Sequence, residues 1–467
     1  MRNIVMFFAL VLSVVFGSCS GINSSKAQQE QVLEHGKVIP KVTCKKDVTH
    51  SYALYLPSGY AEGKLFPLII LFDAHGNGNK AVELFKEQAE KYGYILVGSN
   101  VSKNGTSWEA TAAHYDILLA DVLERFGIDK GRIYTCGFSG GSRVASTVAI
   151  TKGGIAGVIG CSAGFPQVKE AIKYKFDFFG FAGNDDMNYA EMVNLDRALE
   201  QSGFRHQLVV FNGTHDWPPK ENIPEAMLWL ELNAMRNKLK PIDKNFITTQ
   251  LANYDKQLVE IQNAGSTYEE YLLTKKILNY FKDLTDTKKY EDRFVVLKES
   301  AAVKKGLQQE DANDKKELML QQQYAEKLST ENAAWWKSEV NQLNEFVVNS
   351  RNESERHLIK RVLEYLSLMA FSTCSSLYAQ NNFEEAEHYI ELYALIDSDN
   401  AEPEFMYAQV CARKKDNDNA MQHLQRAATL GFSDKGRIDN DTIFMKYNAD
   451  KRFVEAMETI ISNQKKQ

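Results

Sequence analysis

The sequence predicts two structural classes in one chain: a doubly wound α/β sheet over residues 37–240, then an all-α region. Three observations carry this. Of 28 glycines, 24 lie before Pro241, as do seven of the nine prolines. Glycine and proline punctuate turns, so the first half has many connections and the second half few. Apolar runs alternate with amphipathic stretches in the first half only, and the second half carries helical periodicity.

In chain order, strand-like runs fall at 51–56, 67–72, 94–98, 132–136, 156–161, 176–182 and 207–211. Several are apolar without interruption, as strands buried on both faces of a parallel sheet are. Helical patterns lie between them at 80–92, 111–126, 141–151, 189–202 and 223–237. Such alternation specifies a doubly wound sheet. Further on, Leu273, Ile277, Tyr280, Phe281 and Leu284 share one helical face. The charged stretch 304–323 reads as an exposed helix or linker. Residues 241–350 are thus expected to be a helical linker region.

Residues 351–467 hold an internal repeat. Ala386 and Ala420 stand 34 positions apart; Cys374 and Ala408 precede them by 12, and Ile390 and Leu424 follow by four. Small residues are needed where two helices cross closely. This period and these offsets resemble the tetratricopeptide repeat, over about two repeats from 358 to 432 with a capping helix after them. The resemblance implies a surface that binds a protein partner; a generic helical bundle is the alternative.

The N-terminus reads as a targeting segment. Arg2 precedes an apolar run at 4–16, too short to span a membrane comfortably. The run ends in Phe16-Gly17-Ser18-Cys19, which resembles a bacterial lipobox, with Phe16 where leucine is usual. The resemblance implies a signal peptide over 1–19, lipidation at Cys19, a polar tether over 20–36 and attachment to the bacterial cell envelope. An ordinary cleaved signal, giving a secreted protein, is the alternative. Five further cysteines show no paired spacing, so neither a disulfide framework nor a zinc site is indicated, and no cofactor is called for. The net charge is −6, without a basic block, which argues against a nucleic-acid partner.

Chemistry concentrates at Gly137-Phe138-Ser139-Gly140-Gly141. A strand pattern precedes it and a helix pattern follows, the context in which G-x-S-x-G forms a sharp turn that exposes a nucleophilic serine. A serine needs a base. His215 lies in the loop after the last strand pattern, where that base belongs. The acid belongs between them, after the preceding strand, in Gly183-Asn184-Asp185-Asp186. The spacing G-x-x-D selects Asp186, with Asp185 as the alternative. The oxyanion hole needs two backbone N–H groups: Gly140 supplies one, and Asn77, after His75-Gly76, is the expected second. His75 reads as structural rather than as a second base. His75, Trp108 and Trp217 are candidates for lining the cleft, with a buried core position the alternative for both tryptophans and the chief reading of Trp108. Arg143 reads as a structural ion-pair partner.

The block 52–219 resembles the α/β-hydrolases of the polyhydroxybutyrate-depolymerase and feruloyl-esterase group. The matching pieces are His75-Gly76, the Ser139 pentapeptide, 183–189 and His215-Asp216-Trp217-Pro218. The resemblance implies ester hydrolysis through an acyl-enzyme. Short connections between the last strands leave no room for a lipase-type helical lid, so the site is expected to be open and to suit a bulky or water-soluble ester; the resemblance implies esters that are often polymer-linked. A serine peptidase on the same fold and a catalytically silent envelope scaffold are the competing readings. The catalytic residues all lie before residue 240, so the first half is expected to work alone.

Overall fold

A computed structural model describes residues 33–166 and 172–464. The leader and Cys19 lie outside the described residues.

Eight strands form one sheet: β1 (Val38–Thr43), β2 (Ser51–Tyr55), β3 (Phe66–Phe72), β4 (Ile95–Ser99), β5 (Ile128–Phe138), β6 (Gly157–Cys161), β7 (Asp177–Gly183) and β8 (His206–Phe211). Their order is β1-β2-β4-β3-β5-β6-β7-β8. Antiparallel pairing joins β1, β2 and β4, and the remaining neighbours are parallel. Helices α1 (Gly78–Tyr92), α2 (Trp108–Arg125), α3 (Gly140–Lys152), α4 (Tyr189–Gln201) and α5 (Ile223–Arg236) connect and flank the strands. This is the α/β-hydrolase architecture. The parallel register aligns Leu71 with Cys136, Cys136 with Ile159 and Ile159 with Phe179, all buried. That burial explains the unbroken apolar runs. β1, whose half-buried, exposed and buried positions follow no strict alternation, carries too weak a pattern to be read from sequence.

The chain runs from β3 outward to β4, then returns to place β5 on the other side of β3. The order therefore reverses between β3 and β5. In open α/β sheets ligands bind at such a reversal point, outside the carboxyl ends of the strands. The loop at 73–77 leaves β3 and the serine motif ends β5.

The rest of the described chain is helical: α6 (Lys244–Asn263), α7 (Thr267–Phe281), α8 (Lys288–Glu299), α9 (Ala301–Lys327), α10 (Ala333–Asn349), α11 (Glu353–Ala379), α12 (Phe383–Ile396), α13 (Ala401–Arg413), α14 (Asn417–Thr429), α15 (Lys435–Asn440) and α16 (Lys451–Gln464). The core does not stop at residue 240. Tyr254 and Leu258 of α6, with Ile277, Tyr280 and Phe281 of α7, belong to the same apolar cluster as Phe179 and Trp229. The Trp229 and Tyr280 rings lie 5.3 Å apart, and Arg236 donates to the Tyr280 carbonyl at 2.5 Å. Full burial of each such side chain contributes about 1.5–3 kcal/mol. The first half is therefore not packed as a self-contained unit: Glu34–Gln467 form one compact unit. Residues 241–281, expected as linker, complete the core.

The repeat positions fall on equivalent sites. Cys374 and Ala408, Ala386 and Ala420, Ile390 and Leu424 are all fully buried. The turns between the paired helices place Asn381 and Lys415, also 34 apart, in the left-handed region at φ 60° and 64°.

Candidate active site

Ser139 stands between β5 and α3 with φ 53° and ψ −119°, a strained conformation for a residue with a side chain. Close backbone approach forces the glycines around it. A Cβ on Gly137 would stand 2.2 Å from the Gly141 carbonyl oxygen, and one on Gly141 would stand 2.0 Å from that of Phe72. The Ser139 amide donates to the Cys161 carbonyl at 2.9 Å, tying the turn to β6. The hydroxyl is thereby held off the sheet at the first turn of α3, where free N–H groups attract negative charge.

The structure brings Ser139, His215 and Asp186 together. His215 Nε2 lies 2.9 Å from Ser139 Oγ, and its Nδ1 lies 2.8 Å from Asp186 Oδ1. With the proton on Nδ1, the Nε2 lone pair faces the hydroxyl. Asp186 is fully buried and its Oδ1 also accepts from the Asn188 amide at 2.7 Å. The imidazole packs on the Phe138 ring at 5.0 Å. Asp185, the alternative acid, points elsewhere: its carboxylate meets His357 Nδ1 at 2.6 Å and Lys360 Nζ at 2.9 Å, both on α11.

The second oxyanion donor requires a correction. The Asn77 amide already donates to Asp73 Oδ1 at 3.2 Å, and its side chain caps α1 by accepting from the Lys80 amide at 3.1 Å. Asn77 is spent on the loop's own structure. The Ala74 amide, nearer the end of β3, has no hydrogen-bond partner among the described residues. Gly140 keeps its expected place after the serine. The Asn104 side chain lies directly over it, since a Cβ on Gly140 would stand 1.8 Å from Asn104 Oδ1. No sequence motif pointed to Asn104.

Trp217 does not line an open cleft. It is buried, donates from Nε1 to Asp73 Oδ2 at 2.9 Å and packs on Phe138. It braces the base loop against the 73–77 loop. Burial alone would raise the Asp73 carboxyl. The His75 and Trp217 side chains and the amides of His75 and Asn77 outweigh that and pull it down to about 2. The His75 side chain is largely exposed, with Nδ1 3.7 Å from Asp73. Trp108 is half-buried at the start of α2, outside the buried core. Arg143 pairs with Glu191 at 2.7 Å.

The flank of the site also departs from expectation. Among the described residues no lid is inserted between the strands, yet α11 packs beside the loops that carry Asp186 and His215. A cavity of about 240 Å³ separates them, lined by Asp185, Thr214, Lys360, Glu364, Ser367 and Asp397. Burial, then the Asp397, Asp186 and Asp185 carboxylates, push the Glu364 carboxyl up to about 7 against the opposing influence of His215. A larger cavity, about 1340 Å³, lies beside β8, α7 and α9 and contains none of the three residues gathered at the elbow. Among the described residues, no group of three His, Cys, Asp or Glu is arranged to hold a metal ion.

No family model and no curated protein matches the sequence. Solved structures similar to it include an S-formylglutathione hydrolase from Staphylococcus aureus, at 14% identity, covering 43% of this chain and 99% of that one, with a TM-score of 0.35. A ferulic acid esterase is 15% identical, over 42% of this chain and 97% of that one, with a TM-score of 0.33. An esterase from Pyrobaculum calidifontis is 14% identical, over 44% and 87%, with a TM-score of 0.34. Likeness at this level assigns no activity to this chain.

Proposed function

We propose that this chain is a serine hydrolase that cleaves carboxylic esters through an acyl-enzyme on Ser139. The observation that carries the reading is the unbroken relay from Asp186 through His215 to Ser139, at 2.8 and 2.9 Å, on a strained strand-to-helix turn. Such strain persists only where the surroundings impose it.

In this reading Ser139 Oγ attacks the ester carbonyl carbon as His215 Nε2 takes its proton. The carbonyl oxygen becomes an oxyanion, met by the Gly140 amide and by the unpartnered Ala74 amide. The Asp186 carboxylate stabilises the imidazolium without taking its proton. His215 then returns the proton to the leaving alkoxide. A water, deprotonated by the same nitrogen, releases the acid and restores Ser139. A fluorophosphonate probe should label the wild type and leave Ser139→Ala unlabelled; equal labelling of both would refute the assignment.

The leader supports a second part of the proposal, attachment to the bacterial envelope through acylated Cys19. One acyl chain binds membranes marginally, so stable anchoring needs more than one. Metabolic labelling with an acyl analogue should mark the wild type and spare Cys19→Ser. The 34-residue period of α11 to α14, whose repeat positions pack the paired helices together, supports a role in binding a protein partner, testable by affinity capture with surface variants of those helices.

A further inference from the structure

The loops that carry acid and base are joined first to each other and then to a distant helix. The Asn184 amide donates to the Phe211 carbonyl at 2.8 Å, and the Asp185 amide to the Gly213 carbonyl at 2.9 Å. In return the Gly213 amide donates to Asn184 Oδ1 at 3.0 Å. These bonds make 184–185 and 211–213 one backbone unit, with Asp186 and His215 just beyond its ends.

α11 grips that unit from one face. His357 Nδ1 lies 2.6 Å from Asp185 Oδ1, Lys360 Nζ donates to Asp185 Oδ2 at 2.9 Å, and Arg361 Nη1 donates to the Asn184 carbonyl at 2.8 Å. Positions 357, 360 and 361 are three and four apart, so they share a helical face. The grip is anchored in turn. Arg361 donates twice to the fully buried Glu317 of α9, at 2.9 and 2.5 Å, and lies 4.2 Å from the centre of the Tyr189 ring at the start of α4. The Asp185 side chain is only 8% exposed. A carboxylate so buried is costly to leave without its cations, so the loop and α11 are held in register.

Asp185 and Asp186 are adjacent in the chain, so a shift of one displaces the other. Catalytic groups must be held to within about 0.5 Å. We infer that His357, Lys360 and Arg361 are positioning residues of the hydrolase: the helical region keeps Asp186 within reach of His215 by clamping Asp185 and Asn184. The inference rests on the hydrolase reading above. It makes the helical region part of the catalytic apparatus rather than a passenger.

The test uses the full chain, a small aryl ester and three variants: His357→Ala/Lys360→Met, Lys360→Met alone, and the conservative Lys360→Arg. The double variant should lose about tenfold or more in kcat with KM within about twofold, since a displaced acid affects the transition state more than binding. The acid limb of its kcat/KM profile should move to lower pH, because the imidazolium has lost part of its anion. Lys360→Arg should retain kcat within about twofold. Should the double variant not fold, Lys360→Met alone carries the same expectation with a smaller loss. Wild-type kcat and pH profile in a folded variant lacking the clamp, even with a lower Tm, would overturn the inference while leaving the hydrolase reading intact. A wild type without Ser139-dependent labelling would overturn both.

Discussion

The turn after β5 and the loop after β7 hold their functional side chains by different means. The serine turn is fixed from within a short span: Gly137 and Gly141 admit backbone contacts that no other residue would, and the Ser139 amide is pinned to Cys161 on the adjoining strand. The acid loop is fixed from outside, by cationic and imidazole groups of α11 that arrive 172 to 177 residues later. The first arrangement is as rigid as the sheet. The second depends on how the helical region packs, so the triad is half local and half global in origin.

Four expectations test this contrast. The largest effect belongs to the nucleophile itself: Ser139→Ala should remove about 10⁴-fold or more of the hydrolysis rate, His215→Ala nearly as much, and the double variant little more, because members of such a unit are not additive. Turnover of a small aryl ester measures it. Second, Asp186→Asn should cost about 10³- to 10⁴-fold in kcat by removing the anion that orients the imidazole. Asp185→Asn should cost far less, because Asp185 acts only through loop position. A reversal of the two would assign the acid to Asp185.

Third, Gly141→Ala should destabilise the protein by about 2 kcal/mol or more, since its methyl would overlap the Phe72 carbonyl and no flexible side chain can yield. The denaturant midpoint reports it, and mutation of α11 should not alter the size of the loss if the serine turn is held locally.

The smallest effect concerns Glu364. Its carboxyl is raised to about 7 in the folded chain, first by burial and then by neighbouring carboxylates. The folded state thus holds this proton more tightly than the unfolded state does. Its contribution to stability is full below the unfolded pKa and is lost as pH rises through about 7. Glu364→Gln should therefore flatten the fall in Tm between mildly acidic and neutral pH, and the variant should gain on the wild type above pH 7. Parallel Tm curves for the two proteins would show that Glu364 does not titrate this way.

Much of this was legible in the linear chain. Uninterrupted apolar runs announced the parallel strands because burial on both faces leaves no polar side. The glycines around Ser139 and the order Ser139, Asp186, His215 pointed to three residues that the structure gathers, because a sharp turn and a relay each demand specific residue types in a fixed succession. The period at Ala386 and Ala420 announced paired helices because close helix crossing demands small side chains. β1 escaped notice because an edge strand with exposed positions carries little periodic signal. Asn77 could not be told from its neighbours because nothing in a sequence tells which amide of a loop is already bonded, and Trp217 stayed open between core and cleft because an indole between two loops has the same sequence signature as one facing solvent.

By itself, then, the sequence marked most of the strands and helices and singled out Ser139, Asp186 and His215 as residues to be gathered, since each rests on residue type at short or ordered spacing. Tertiary structure alone decided that α6 and α7 complete the core across residue 240, that Asp185 belongs to α11, and that His357, Lys360 and Arg361 stand behind the acid. The α11 contacts join groups 172 to 177 residues apart, and the α6 and α7 contacts also reach far along the chain, where local propensity carries no information and only the packing of the whole chain brings the partners together.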